Sequence, residues 1–262
     1  SPKKLILCDN GSCKGIYEAA NRCSISAYDI QHSLMSRYNI LYSYSKKVSK
    51  ESVVMPSKIL TYGQYWNDKY RTYADRIAVG SPFHEIKKNE VMGKSVSDAF
   101  SHLDKEKTML IISSMRSGKK LEQIVISLAN QLEDFDFIYK LRPNEYPFWK
   151  EVYSNEFVEH PRIFVIDTDE IGLYELFRVS SYQIGINSTA IIEGMTFNLK
   201  TFILKDSWYL EMLDFIEDGY VKLVVSDEEV INGINRDSFK LIHAQDLYLE
   251  NSFVNLEKEL QS

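Results

Sequence analysis

The densest chemistry in this 262-residue chain lies in ten consecutive residues, Gly185-Ile186-Asn187-Ser188-Thr189-Ala190-Ile191-Ile192-Glu193-Gly194. An apolar run, Tyr182 to Ile186, passes into three small polar residues and then into a helical pattern with a carboxylate about one turn in. The first N–H groups of such a helix have no partner within it, and the positive end of its dipole lies there. The turn is therefore a ready anion site. Ser188 and Thr189 add hydroxyl donors, and Glu193 can accept hydrogen bonds from a neutral diol such as a ribose. Phosphate donors beside a ribose acceptor point to a nucleotide. The plainer reading of the same residues is a core helix capped by Asn187 or Ser188.

Four further groups carry potential chemistry. Arg142 stands where an apolar run stops, directly before Pro143, and a guanidinium there can grip phosphate bidentately or bond a surface carbonyl. Ser113, Ser114 and Arg116 precede Gly118 and could cradle a phosphate, although the Gly-x-x-x-x-Gly-Lys spacing of a Walker loop is missing; a solvated loop is the alternative. His32, between Gln31 and Ser33, follows an apolar run and is suited to general base work or to holding a phosphate when protonated. Asp9 ends the first apolar run before Asn10-Gly11 and is a candidate base or a plain turn residue. His160-Pro161 precedes a strand, on the opposite edge, and is taken as structural. No cluster has metal-ligand spacing, so no metal and no cofactor are expected.

Such residues act together only if a scaffold brings them to one edge. From Thr108 the pattern is regular. Apolar strands are expected at Thr108–Ile112, Phe135–Leu141, Arg162–Ile166, Tyr182–Ile186, Lys200–Leu204 and Val221–Val225, each followed by a helical pattern. Ser226-Asp227-Glu228-Glu229 has the form of a capping box. Strict alternation with continuous apolar strands predicts a parallel, doubly wound, Rossmann-like α/β domain, which binds ligands beyond the carboxyl ends of its strands. The loops after the first, second and fourth of these strands carry Ser113-Ser114, Arg142-Pro143 and Asn187-Ser188-Thr189, all on that edge.

The first 107 residues read differently. Leu5–Cys8, Ile16–Arg22 and Ile25–Ile30 form one βαβ unit, and Tyr42–Ser52 resembles a linker or mobile loop. Met55–Gly63 and Arg76–Gly80 are short elements, and Glu85–Lys107 is charged and weakly patterned, as an insertion or disordered loop would be. The expected organisation is a partial N-terminal α/β unit and crossing segment (1–80), a charged connector (81–107), the Rossmann-like domain (108–243) and a C-terminal helix packing back (244–262).

Composition narrows the class. A net charge of −6 and a pI near 5.5 argue against wide nucleic-acid binding, which needs a basic surface. Cys8, Cys13 and Cys23, an odd and scattered set, fit a reducing compartment better than a disulfide framework. The sequence holds no run of eighteen apolar residues and no signal-peptide pattern. An opening Ser1-Pro2-Lys3-Lys4 in place of Met is expected of a piece of a longer polypeptide. The 17 tyrosines could line a sugar site, although most such rings pack half-buried.

These residues together resemble bacterial glycosyltransferases of the GT-B fold that build capsule and lipopolysaccharide. More distantly they are similar to bacterial sialyl- and polysialyltransferases and teichoic-acid polymerases. Ala19-Ala20 through Asp29-Ile30-Gln31-His32-Ser33 resembles the last unit of the family's N-terminal domain, which often ends in Gln-His-Gly. Tyr62-Gly63-Gln64-Tyr65-Trp66 through Val79-Gly80-Ser81-Pro82 resembles the crossing segment. Lys140-Leu141-Arg142-Pro143 and Asn187-Ser188-Thr189 to Glu193 resemble the donor-domain His-Pro and Ser-Ser/Thr motifs, and Asp9-Asn10-Gly11 is a weak match to an acidic base motif. Arg142 stands where the family has His, and Ser33 where it has Gly.

The resemblance implies a metal-independent, inverting transfer of sugar from a nucleotide-sugar donor to a glycan or lipid-linked glycan acceptor. It implies Ser188, Thr189 and Arg142 on the donor phosphate, Glu193 on the ribose, and His32 or Asp9 as base. It also implies a cytoplasmic protein, compatible with peripheral association at the inner membrane face, and a partner domain or chain supplying the rest of the acceptor side. Two rivals share the architecture: a nucleotide-sugar 2-epimerase and a non-catalytic nucleotide-binding subunit.

Overall fold

A computed structural model of the protein describes residues 2–8, 13–114 and 117–261. Asp9 and Arg116, two of the candidate site residues, lie outside the described residues. The chain divides into two compact units, one made of Ser1–Asn89 with His243–Ser262 and the other of Glu90–Ile242.

In the first unit β1 (Lys4–Cys8), α1 (Lys14–Arg22) and β2 (Ser26–Ile30) form the expected βαβ arrangement. The sheet does not stop there. β3 (Lys58–Thr61), α2 (Gln64–Asn67), β4 (Asp75–Ala78) and α3 (Pro82–Asn89) continue it into a four-stranded parallel sheet of order β1-β2-β3-β4. One face packs Tyr17 and Ala20 of α1 on Ala27, and the other packs Tyr28, Leu60 and Val79 together. Tyr42–Ser52 is not a loose linker, because Tyr42 is buried and the Tyr44 amide donates to the Arg71 carbonyl at 2.8 Å.

The stretch expected as a charged connector is also ordered into helices. α3 occupies its start, and α4 (Lys94–Ala99) follows in the second unit, with Val96 and Phe100 buried. Two buried side chains four residues apart are enough to seat a short helix whose other faces are charged.

The second unit contains β5 (Thr108–Ile112), α5 (Gly118–Gln131), β6 (Asp136–Lys140), α6 (Trp149–Val152), α7 (Asn155–Val158), β7 (Ile163–Ile166), α8 (Leu173–Arg178), β8 (Tyr182–Gly185), α9 (Thr189–Met195), β9 (Lys200–Leu204), α10 (Leu213–Glu217), β10 (Lys222–Val224) and α11 (Asp227–Arg236). All six strands are parallel, in the order β10-β9-β8-β5-β6-β7. Numbered within the unit this is 3-2-1-4-5-6 read from the β7 side, the doubly wound order of dinucleotide-binding folds. One face of the sheet packs Leu121, Val125 and Leu128 of α5 against Phe137 and Tyr139. The expected capping box forms in part: Ser226 accepts the Glu229 amide, while the Glu229 carboxylate reaches one residue further back and accepts the Val225 amide at 2.7 Å.

The chain then returns to the first unit through α12 (Ala244–Leu247) and α13 (Ser252–Gln261). Trp66 Nε1 donates to the Leu247 carbonyl at 2.8 Å and the Leu249 amide to the Tyr62 carbonyl at 2.7 Å. The Glu85 carboxylate takes both the amide and the hydroxyl of Ser252, at 2.7 and 2.6 Å, and so ties the start of α13 to α3. Leu256 and Leu260 close the Tyr28–Leu60–Val79 cluster. This docking needs Gly80, whose φ is +88° and whose missing Cβ would lie 2.2 Å from the Leu249 oxygen. Gly80→Ala should therefore lower the melting temperature by about 4–8 °C, the effect of roughly 2 kcal/mol of strain and displaced contact. An unchanged melting curve by calorimetry would contradict this docking.

Candidate functional site

The strand order of the second unit reverses between β5 and β8, so the loops after these two strands run to opposite faces and leave a crevice beyond their carboxyl ends. Every described donor-side candidate of the sequence lies on the loops after β5, β6 and β8 or, for Thr189 and Glu193, in the first two turns of α9 that follows β8.

The β5 and β6 loops are joined by a carboxylate that the sequence reading did not single out. Glu145 is buried, and it accepts the Ser113 hydroxyl at 2.5 Å, the Arg142 amide at 2.8 Å and the Tyr153 hydroxyl at 3.3 Å. Tyr153 in turn meets Tyr139, oxygen to oxygen, at 3.2 Å. A buried carboxylate is tolerated only when its oxygens are hydrogen-bonded, and here three donors do so. The expectation that Ser113 faces a phosphate is thereby corrected, because Ser113 is 1% exposed and its hydroxyl is committed to Glu145. Ser113 braces the loop instead.

Ser114 is partly buried, whereas Arg142 and Pro143 are exposed. Among the described residues the Arg142 guanidinium has no hydrogen-bond or ion-pair partner, while its own amide and carbonyl fasten the turn to Glu145. Lys140, at the end of β6, reaches the Thr168 carbonyl at 2.6 Å and Tyr146 at 2.8 Å. Burial holds its ammonium below the usual lysine range, against the pull of Asp169 and Asp167.

Beyond β8, Ser188 caps α9 by accepting the Ala190 amide at 3.3 Å, the plainer role foreseen for it. Asn187 donates its amide to Glu211 at 3.1 Å, so that side chain also serves to anchor its loop. Thr189 is partly buried at the first helical position. Glu193 follows one turn later, partly buried, and the Tyr174 hydroxyl of α8 hydrogen-bonds it. Burial pushes its carboxyl up from 4.5 to about 7, with Tyr174 opposing the shift. Perturbed carboxyls cluster at functional sites, which with its place on the ligand edge makes Glu193 the leading candidate group.

In the first unit His32 is exposed just past the carboxyl end of β2. Its loop is fixed by buried Gln31, whose Nε2 donates to the Ser33 carbonyl at 3.0 Å and whose Oε1 accepts the Tyr62 amide at 2.9 Å. The three cysteines are free thiols. Among the described residues no group of three or more His, Cys, Asp or Glu side chains is placed to hold a metal ion, and no helix is long and apolar enough to cross a membrane.

Three contributors escaped the sequence reading: Glu145, Tyr174 and Gln31. Glu145 was visible as a carboxylate three residues after Arg142, the spacing at which a capping-box Glu returns to an upstream amide. Tyr174 carried no signal, since its partner lies nineteen residues on, across a strand.

Neither a protein-family model nor a curated protein matches the sequence. Solved structures do match its fold. The Methanocaldococcus jannaschii UDP-GlcNAc 2-epimerase in complex with UDP-GlcNAc and UDP superposes with a TM-score of 0.69 at 12% identity, over 99% of this chain and 76% of that one. The S. aureus MnaA–UDP structure gives 0.67 at 16% identity, over 98% and 74%. MurG of Acinetobacter baumannii gives 0.55 at 11% identity, over 99% and 69%. The fold is GT-B-like. At these identities the likeness is one of architecture: two Rossmann-like parallel sheets, the second as expected from the sequence and the first fuller than the partial βαβ unit expected.

The raised Glu193 carboxyl has a thermodynamic consequence. Its folded value lies above the unfolded one, so the folded state binds the extra proton and gains stability below about pH 4.5, which is lost as pH rises through about 7. Glu193→Gln should leave the melting temperature nearly unchanged at pH 5 and raise it by about 4 °C or more at pH 8. Equal shifts at both pH values would show that Glu193 is not desolvated.

Proposed function

We propose that this protein is a UDP-sugar enzyme, with the nucleotide held at the β5–β8 edge of the second unit and epimerisation at C2 of the sugar as its reaction. The observation that carries the reading is Glu193, a desolvated carboxyl one turn past the Ser188 cap at the point where strand order reverses. Support for the nucleotide and the reaction comes from fold likeness to structures described as UDP-GlcNAc 2-epimerases or as bound to UDP.

In this reading the Ser188–Thr189 turn and the exposed Arg142 guanidinium take the diphosphate, and Glu193 takes the ribose hydroxyls. Arg142 supplies a permanent cation with a planar fork of donors for the diphosphate. Ser113 and Asn187 keep their loops in place rather than touching ligand. Epimerisation at C2 exchanges the hydrogen on one face of the carbon for one on the other, and a proton carrier must serve it. His32, and Asp9 as the sequence suggests, are the candidates for that carrier.

Glycosyl transfer is the second reading. It draws on the sequence resemblance to surface-polysaccharide enzymes and on the fold likeness to MurG, and it would use the same donor contacts with His32 as base toward an acceptor hydroxyl. The two differ in mass balance. Mass spectrometry and chromatography of UDP-GlcNAc incubated with the protein should show an isomer of unchanged mass, whereas transfer to an added glycan acceptor releases UDP. Calorimetry should show UDP binding weakened about tenfold or more in Glu193→Ala and in Arg142→Ala, the Arg142 loss shrinking in high salt. Unchanged UDP affinity in both variants removes the site assignment, and UDP release without an isomer replaces epimerisation by transfer.

A further inference from the structure

The residue that seats the nucleotide helix is not on the ligand edge at all. Gln183 lies in the middle of β8, between β5 and β9, and is fully buried. An apolar side chain would fill that position at less cost, because a buried carboxamide must recover the hydrogen bonds it gave up to water. Gln183 recovers two through its Nε2, at 2.8 Å to the Ile191 carbonyl of α9 and at 2.8 Å to Thr201 Oγ1 of β9. Thr201 is itself fixed, donating to the Leu199 carbonyl at 2.8 Å. The carboxamide is thus a tether from two neighbouring strands to the inner side of α9.

Gly194 supplies the matching half. A Cβ there would lie 2.2 Å from Gln183 Oε1, 2.8 Å from its Cδ and 2.9 Å from its Nε2. No real side chain can occupy that space while the carboxamide does, and the carboxamide is held from two sides. The helix backbone therefore rests directly on Gln183 at Gly194. Since α9 is only seven residues long, a displacement at Gly194 moves Glu193 beside it and the Ser188–Thr189 turn at the other end.

Resting on the nucleotide reading above, we infer that Gln183 and Gly194 together are the positioning pair of the donor site, setting the depth at which α9 presents Glu193 and the phosphate-binding turn. Gln183 touches no ligand in this scheme and acts only through α9. Its chemistry explains why a glycine must follow the ribose carboxylate and why a glutamine sits inside an otherwise apolar strand, Tyr182–Ile186.

The test is a suppressor cycle on the whole chain with Gly194→Ala, Gln183→Ala and the double variant. Two quantities are read in each: UDP affinity by calorimetry, and the part of the melting-temperature change between pH 5 and pH 8 that Glu193→Gln removes. The second reports on Glu193, whose titratable neighbour among the described residues is Tyr174 of α8. Gly194→Ala should weaken UDP binding by about tenfold and erase more than about half of the Glu193 pH effect. Adding Gln183→Ala should restore both to within about threefold of the parent.

Parental values in Gly194→Ala, or a double variant as impaired as the single, overturn the inference. A parent chain that does not bind UDP sinks the nucleotide reading alone, and the pH readout still decides the pairing. If Gly194→Ala does not fold, folding of the double variant is itself the rescue. Gln183→Met, which keeps volume and loses the tether, then supplies the measurement, with about threefold weaker UDP binding and a reduced Glu193 pH effect expected. Parental values there overturn the inference as well.

Discussion

The parallel pairing of β5 with β8, which aligns Met109 with Tyr182 and Ile111 with Ile184, is the constraint on which the candidate site depends. Parallel neighbours cannot be joined by a tight turn, so each strand must be reached through a helix crossing over one face of the sheet. From β5 the chain winds one way, through β6 and β7. From β8 it winds the other way, through β9 and β10. Right-handed crossovers in opposite directions put α5 and α9 on opposite faces and open a crevice at the strand ends between them. The crevice is a consequence of topology before any side chain is considered.

Side chains then decide whether loops at that edge hold a shape. Three carboxylates do so, each by taking donors from a neighbouring segment. Glu145 ties the β5 loop to the β6 turn, Glu211 takes the Asn187 amide after β8, and Asp206 takes the Ser117 hydroxyl at the start of α5. The pattern leaves Arg142 as a cation whose backbone is fixed and whose guanidinium is open. A hydrogen-bonded carboxylate under a backbone amide holds a turn more firmly than a neutral acceptor would, because charge-assisted bonds are the stronger kind. Preorganisation of this sort is what a phosphate clamp needs, since the ligand then does not have to order the loop as it binds.

How much of this could be read from the chain depends on whether the signal is local. The strands of the second unit are continuous runs such as Met109-Leu110-Ile111-Ile112, buried on both faces, and their position and order of appearance are plain in the sequence. The Ser226 cap of α11 is equally local and forms as expected. The first unit was under-read because β3 and β4 are only four residues long and begin with Lys58 and Asp75, so neither makes an apolar run long enough to stand out. The connector was misjudged for a related reason: α3 and α4 bury few side chains and show charge on their remaining faces. The proximity of Ser188, Thr189 and Glu193 was legible because the first turns of one helix link them. Ser113 was misassigned because its partner Glu145 belongs to another loop, and only the β5–β6 pairing brings the two together. Strand pairing is the step that sequence periodicity does not supply.

The electrostatic balance of the edge follows from these placements. An ionised carboxylate beside a diphosphate would repel it, yet a ribose diol is best received by a carboxylate. A carboxyl whose midpoint lies at about 7 resolves the conflict, because near neutrality either state costs little. Burial raises its midpoint against the opposing Tyr174 hydroxyl, and in the proposed nucleotide complex a ribose diol donating two hydrogen bonds would favour the ionised form. The cost of desolvating Glu193 falls on the fold rather than on binding, and it can be met there because α9 is seated on β8 through Gln183 and Gly194. Under the proposed assignment, the seating of α9 that carries this cost to stability also preorganises Glu193 for its ligand, the trade-off expected of a site built into a folded domain.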